Sequence, residues 1–216
     1  MEVPFYNFKD LHNLQLQKKI LEVFKDLIES NSFIEGKYNQ LFEIDFAKMQ
    51  KANFCRLVAN GTDAIEIALK VAGIGPGMKV GVPGITFFAT AEAVVNVGAI
   101  PVFIDVNPES ALLCPHSLKR VLAKTSLDAV IPVHIYGQPA PMLEIENICL
   151  ARNIKIIEDA AQAQGAFYTD TGAPIGSRID TLTTFSFYPT KNLSAFGDAG
   201  AILCSKAEEA AMMIPF

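Results

Sequence analysis

No stretch of this 216-residue sequence gathers lysines and arginines into a patch. Its 18 basic residues are outnumbered by 23 acidic ones, for a formal charge of -5. A surface that tracks phosphates along a nucleic acid shows clustered Lys and Arg, so nucleic acid is not expected as the main partner. Cysteine is sparse: Cys55, Cys114, Cys149 and Cys204 stand 59, 35 and 55 residues apart, which fits no zinc-ligand spacing. No secretory context favours disulfides, so four reduced, mostly buried thiols in a cytoplasmic protein are expected. The opening MEVPFYNFKDLHN has no basic segment followed by an apolar one, so no signal peptide is read there. Apolar runs break well short of the roughly 20 residues a membrane helix needs, and no membrane partner is expected. Internal repeats and low-complexity segments are absent as well. Half of the residues are apolar and 19% charged, the composition of an ordinary globular chain with ample material for a core.

The apolar residues change rhythm along the chain. Leu14, Leu16, Ile20, Leu21, Phe24, Leu27 and Ile28 recur largely at helical spacing, which predicts an amphipathic helix in an N-terminal segment, residues 1–35. From residue 53 onward, short apolar runs alternate with helical stretches. Strands are predicted over 54–59, 79–83, 100–106, 128–136, 154–159, 183–188 and 199–204. Helices are predicted from Asp63 to Ala72, Ala89 to Val97, Ser117 to Lys124 and Met142 to Arg152. Such alternation implies crossover units and a mainly parallel sheet. The strands read as continuous apolar runs, as expected where helices cover both faces. The expectation is therefore an α/β domain over residues 36–216, a mainly parallel seven-stranded sheet flanked by helices. Near its end, Ser205 and Glu208 form the Ser-x-x-Glu pattern of a capping box. The helix they would open has barely begun when the chain stops at MMIPF, which reads as a truncation.

In open α/β sheets ligands sit beyond the carboxyl ends of the strands, so polar residues there are weighed first. NGTDAIEIAL (60–69) follows a strand and opens a helix. It is either a phosphate site, built from helix amides, Gly61 and the Thr62 hydroxyl, or a simple turn with Thr62 as N-cap. It has neither the Walker spacing nor Gly-x-Gly-x-x-Gly. Asp159 closes an apolar strand and is followed by Gln162; it is a metal ligand, an N-cap, or a partner for a protonated ring nitrogen. No Asp, Glu or His stands near it at ligand spacing, so no metal is expected. Lys191 follows the strand that carries Ser186, and in an apolar pocket its amine would be neutral enough to form a Schiff base with an aldehyde cofactor. A solvated loop lysine is the plainer alternative. Phe87 or Phe88 would stack on a flat ring, or pack in the core.

NGTDAIEIAL, VPGITFFATAEAV, EDAAQAQGA and FSFYPTKNLSAFGDAGAI together resemble the signature segments of DegT-type nucleotide-sugar aminotransferases, fold-type I enzymes dependent on pyridoxal 5'-phosphate. The resemblance runs from about Phe5 to the end of the chain. It implies that Lys191 holds the cofactor as an internal aldimine and that Asp159 pairs with the pyridinium nitrogen. It also implies that Gln162 and Phe87 pack the ring, and that Gly61, Thr62 and Ser186 bind the phosphate. His134 matches a family segment too and is read as a satisfied core histidine. The implied reaction moves an amino group, with glutamate as donor, to a nucleotide-linked keto-sugar, in a homodimer. Family members continue into a smaller C-terminal domain that is missing here. The competing expectation is therefore a non-catalytic remnant that binds pyridoxal phosphate weakly or only associates with partners.

Overall fold

Asn13 opens the first described helix, α1 (Leu14–Ser30): its side-chain oxygen accepts the Leu16 amide at 3.0 Å. Asn31 ends it in the left-handed conformation, with φ 52°. The helix is amphipathic as predicted, but none of its residues is buried, and Leu14, Leu21, Phe24 and Ile28 are exposed. The computed structural model describes residues 7, 8 and 12–213. Most of the opening MEVPFYNFKDLHN and the last three residues of the MMIPF tail lie outside that set. By compactness the chain divides into residues 1–42 and 43–216. A second helix, α2 (Lys37–Gln50), runs across that division.

The second unit is built on seven strands: β1 (Phe54–Val58), β2 (Lys79–Pro83), β3 (Ile100–Ile104), β4 (Ala129–Val130), β5 (Lys155–Asp159), β6 (Leu182–Ser186) and β7 (Gly200–Cys204). They form one sheet in the order β1-β7-β6-β5-β4-β2-β3. Pairings from β3 through to β6 are parallel, and β7 is antiparallel to both its neighbours. The sheet is thus seven-stranded and mainly parallel, as the alternating pattern implied. The reason β7 reverses is local. Residues 187–199, which join it to β6, contain no helix, and parallel return needs a crossover element.

Helices α3 (Gly61–Val71), α4 (Ala89–Asn96), α5 (Pro115–Leu122) and α6 (Met142–Leu150) lie between successive strands, and α7 (Ala207–Met212) follows β7. Ala64, Ala68 and Leu69 of α3 are fully buried in one core with Val80, Val82, Ile157 and Ile202 of the sheet. Among the described residues no helix is long and apolar enough to cross a membrane. All four cysteines are free; Cys149 and Cys204 are buried, and burial pushes their thiols up to about 12 and about 11.

Two local expectations fail. The strand predicted over 128–136 shrinks to Ala129–Val130. Pro132 has no amide to give the ladder, although its carbonyl still accepts the Asp159 amide at 2.9 Å and the His134 amide reaches the Asp159 carbonyl at 2.9 Å. The capping box at Ser205 does not form either. Helix α7 starts at Ala207 with no side-chain cap, and the Ser205 hydroxyl turns to the Arg178 carbonyl at 3.5 Å.

Candidate active site

Helix α3 begins two residues earlier than the Thr62 cap would require. Asn60 takes that place: its Oδ1 accepts the Asp63 amide at 2.8 Å, while its Nδ2 donates to the Asp63 carboxylate at 3.0 Å. Asn60 and Asp63 therefore satisfy each other. The amides of Gly61 and Thr62 are left with no acceptor among the described residues.

Glycine is required at two points here for lack of room. A Cβ on Gly61 would lie 2.7 Å from the Ser186 Cβ, and one on Gly200 would lie 2.4 Å from the Asn60 carbonyl oxygen. Two hydrogens in place of side chains let the first turn of α3 rest on the ends of β6 and β7. Ser186 is thereby held against the unpaired amides; its Oγ accepts the Tyr188 amide at 3.3 Å and keeps its own proton to donate. Gly200→Ala drives a methyl into backbone that cannot yield cheaply. We expect it to cost about 2–4 kcal/mol of stability, measured as a lower urea midpoint with the slope unchanged.

Asp159 ends β5 and is only 4% exposed. Its Oδ2 accepts the Thr90 hydroxyl at 2.7 Å and its Oδ1 the Ala161 amide at 3.1 Å. No helix follows it, so it is not an N-cap. Lys191 is half-buried, and not the freely solvated loop residue that was the plainer alternative. Burial pushes its amine below the ordinary lysine value near 10.5, while the charge of Asp159 acts in the opposite direction. The loop that carries Lys191 is tied down next door: Asn192 Nδ2 donates to the Gln164 carbonyl at 2.7 Å. Gln164 in turn donates through Nε2 to the Ser186 carbonyl at 2.5 Å, so the segment after Asp159 holds both Ser186 and the lysine loop.

These groups meet around one cavity of about 660 Å³. Gly61, Thr62, Phe87, Asp159, Ser186 and Lys191 all line it. Phe87 is 76% exposed and Phe88 72%, so neither packs in the core. Gln162 does not line the cavity. Its Oε1 instead accepts the Tyr136 amide at 2.8 Å, where Tyr136 holds a left-handed backbone with φ 56°. Thr90, Gln164 and Asn192 escaped sequence reasoning. They are ordinary polar residues whose partners lie 69, 22 and 28 positions away, and no local spacing marks them.

Successive strand residues face opposite sides of a sheet, and the neighbour of Asp159 is bound just as firmly on the other face. Glu158 is fully buried. It accepts His134 Nε2 at 2.9 Å, Tyr168 at 2.8 Å, Thr181 at 2.5 Å and Thr183 at 3.2 Å. The Ala140 amide donates to His134 Nδ1 at 2.9 Å, so the ring proton sits on Nε2 and goes to Glu158. His134 is a satisfied core histidine. Burial alone would raise the Glu158 carboxyl, but the bonds from His134, Thr181 and Tyr168 outweigh it and hold the group below its ordinary value of 4.5. A depressed carboxyl stabilises the fold above its unfolded value and loses that contribution as pH falls through the folded value. Unfolding free energy should therefore drop as pH goes below about 4.5. In Glu158→Gln we expect a loss of about 3 kcal/mol at neutral pH and a flatter acid limb in urea titrations.

Comparison with known proteins bears on what this cavity does. The sequence model of the DegT/DnrJ/EryC1/StrS aminotransferase family matches residues 14–216. The chain is 40% identical to a "Pleiotropic regulatory protein" of Geobacillus stearothermophilus, over 96% of this chain and 55% of that protein. It is 39% identical to a UDP-N-acetyl-3-dehydro-alpha-D-glucosamine 3-aminotransferase of Acidithiobacillus ferrooxidans, over 91% of this chain and 52% of the other. Among solved structures, DesV of S. venezuelae in complex with a ketimine intermediate superposes with a TM-score of 0.92 at 35% identity, covering 98% of this chain and 56% of DesV. NtdA of Bacillus subtilis with bound cofactor PMP superposes at 0.89 and 31% identity, covering 100% and 48%. The chain spans about half the length of the curated relatives it matches.

Proposed function

The chain belongs to the DegT/DnrJ/EryC1/StrS aminotransferase family, and from that premise we propose that its cavity holds pyridoxal 5'-phosphate. The activity we propose is transfer of an amino group, with glutamate as donor, to a nucleotide-linked keto-sugar, by a homodimer. One observation carries this: a lysine, a buried carboxylate and a set of unpaired helix-end donors converge on one cavity of about 660 Å³. The donor set fits the cofactor part by part. Unpaired amides at the start of α3, with the Thr62 and Ser186 hydroxyls, suit a phosphate. Asp159 suits a cationic ring nitrogen, Phe87 offers a ring face, and Lys191 offers an amine.

Bound there, the cofactor supplies an aldehyde carbon and an electron-accepting ring. The chain's own residues do the rest. Lys191 Nζ, whose value burial holds below the ordinary one for lysine, takes and returns the proton at the donor's Cα. Asp159 holds a proton at the ring nitrogen, and its two hydrogen bonds keep the carboxylate ready for that partner. Gly61, Thr62 and Ser186 orient the whole by its phosphate. The test is an absorbance scan of the 216-residue chain after incubation with pyridoxal phosphate. A band near 410–420 nm (an approximate position for a lysine-bound aldehyde cofactor) that disappears on adding glutamate is the expected result. A folded chain that shows no band overturns this reading.

A further inference from the structure

We propose that Thr90 is a positioning residue for Asp159, and that Thr86 sets the direction of its hydroxyl. This rests on the cavity being a pyridoxal-phosphate site. Thr90 lies in the first turn of α4 and is fully buried. Its Oγ1 donates to Asp159 Oδ2 at 2.7 Å, and the Thr86 Oγ1 stands 2.8 Å from it. A hydroxyl has one proton. Thr90 gives its proton to the carboxylate, so in the contact between the threonines Thr86 is the donor. The two hydroxyls form a one-way relay from the residue beside Phe87 to the end of β5.

The geometry gives the relay a purpose. Asp159 has one donor on each oxygen, Thr90 on Oδ2 and the Ala161 amide on Oδ1. Two donors on different oxygens stop the carboxylate from turning about its Cβ–Cγ bond. With Thr90 gone, one amide remains and the group can swing. A carboxylate that swings is aligned with a ring N–H for less of the time. Charge-assisted hydrogen bonds depend strongly on alignment, so the ring nitrogen should then lose its proton at lower pH. The relay also ties the chain at Thr86, next to Phe87 in sequence, to Asp159, and Phe87 and Asp159 both line the cavity.

The test loads the full chain with pyridoxal phosphate carrying ¹⁵N in the ring, whose shift reports protonation of that nitrogen. Thr90→Val keeps the shape and removes only the donor. We expect its ring signal to move toward the unprotonated position on raising pH before that of the wild type does, with cofactor dissociation about tenfold easier. Thr90→Ser should restore both. Thr86→Val, at a half-buried site whose hydroxyl bonds Thr90 and not Asp159, should shift both in the same direction by less, and serves if Thr90→Val does not fold. A folded Thr90→Val with the wild-type signal and affinity overturns the proposal, as does a Thr90→Ser that behaves like Thr90→Val. If the wild type takes up no cofactor, the proposed function falls with it; if the wild type loads and only the threonine variants show no effect, this inference alone falls.

Discussion

Lys191→Ala should abolish covalent capture of pyridoxal phosphate while leaving the chain folded. The backbone around the residue is held without its side chain: the Lys191 amide donates to the Tyr188 carbonyl at 2.8 Å, and Asn192 anchors the loop to Gln164 at 2.7 Å. Removing a half-buried amine relieves a desolvation cost, so the far-UV spectrum and thermal midpoint should stay close to wild type. Borohydride reduction after incubation should add one cofactor mass to the wild type and none to the variant. Amino transfer should fall by about 10²–10⁴-fold, the usual contribution of a placed acid–base group, with any remaining activity coming from free amines. The pH dependence has a definite sign. Because the Lys191 value lies below 10.5, the rate of capture by the empty wild-type chain should rise with pH and reach half its maximum below that value. Capture that is unchanged in Lys191→Ala would assign the chemistry elsewhere.

Asp159→Asn is the second large effect, and a different one. Asparagine fills the same space, and its carbonyl can still accept from Ala161 or Thr90, so the variant isolates the charge. Covalent capture should survive, because Lys191 is intact. Proton abstraction from the donor should slow by about 10³-fold, as expected when a preorganised charge opposite a developing one is lost. The empty protein offers a control on the geometry. Asp159 raises the Lys191 value against the lowering by burial. With the charge gone, burial acts unopposed, and the midpoint of capture against pH should move lower than in the wild type. Rapid-mixing half-reactions with glutamate and capture rates across pH measure the two effects separately. Wild-type half-reaction rates in Asp159→Asn would sink the assigned role.

The elements that repeat locally are legible in the sequence alone. Apolar runs alternating with helical stretches specify a mainly parallel sheet, and the end of each strand marks where a ligand would sit. Lys191, Asp159, Ser186, Gly61, Thr62 and Phe87 stand at or just beyond those ends, and the fold brings all six to one cavity. Where local patterns conflict with long-range packing, they mislead. Ser205 and Glu208 have the spacing of a capping box, yet Ser205 turns to Arg178, a residue near the start of another strand. Gln162 follows Asp159 closely in sequence, yet a chain reversal sends its side chain to Tyr136.

Residue type and order alone determined the architecture, since side-chain periodicity and strand ends are properties of neighbouring positions, and the signature segments alone carried the resemblance to the family. Only the tertiary structure decided which hydroxyl orients Asp159, which glycines make room for the first turn of α3, and how Gln164 joins Ser186 to the lysine loop. Those contacts form between elements made adjacent by the strand order β6-β5-β4-β2 and the helices laid across it. That adjacency is chosen by burial of the whole core at once.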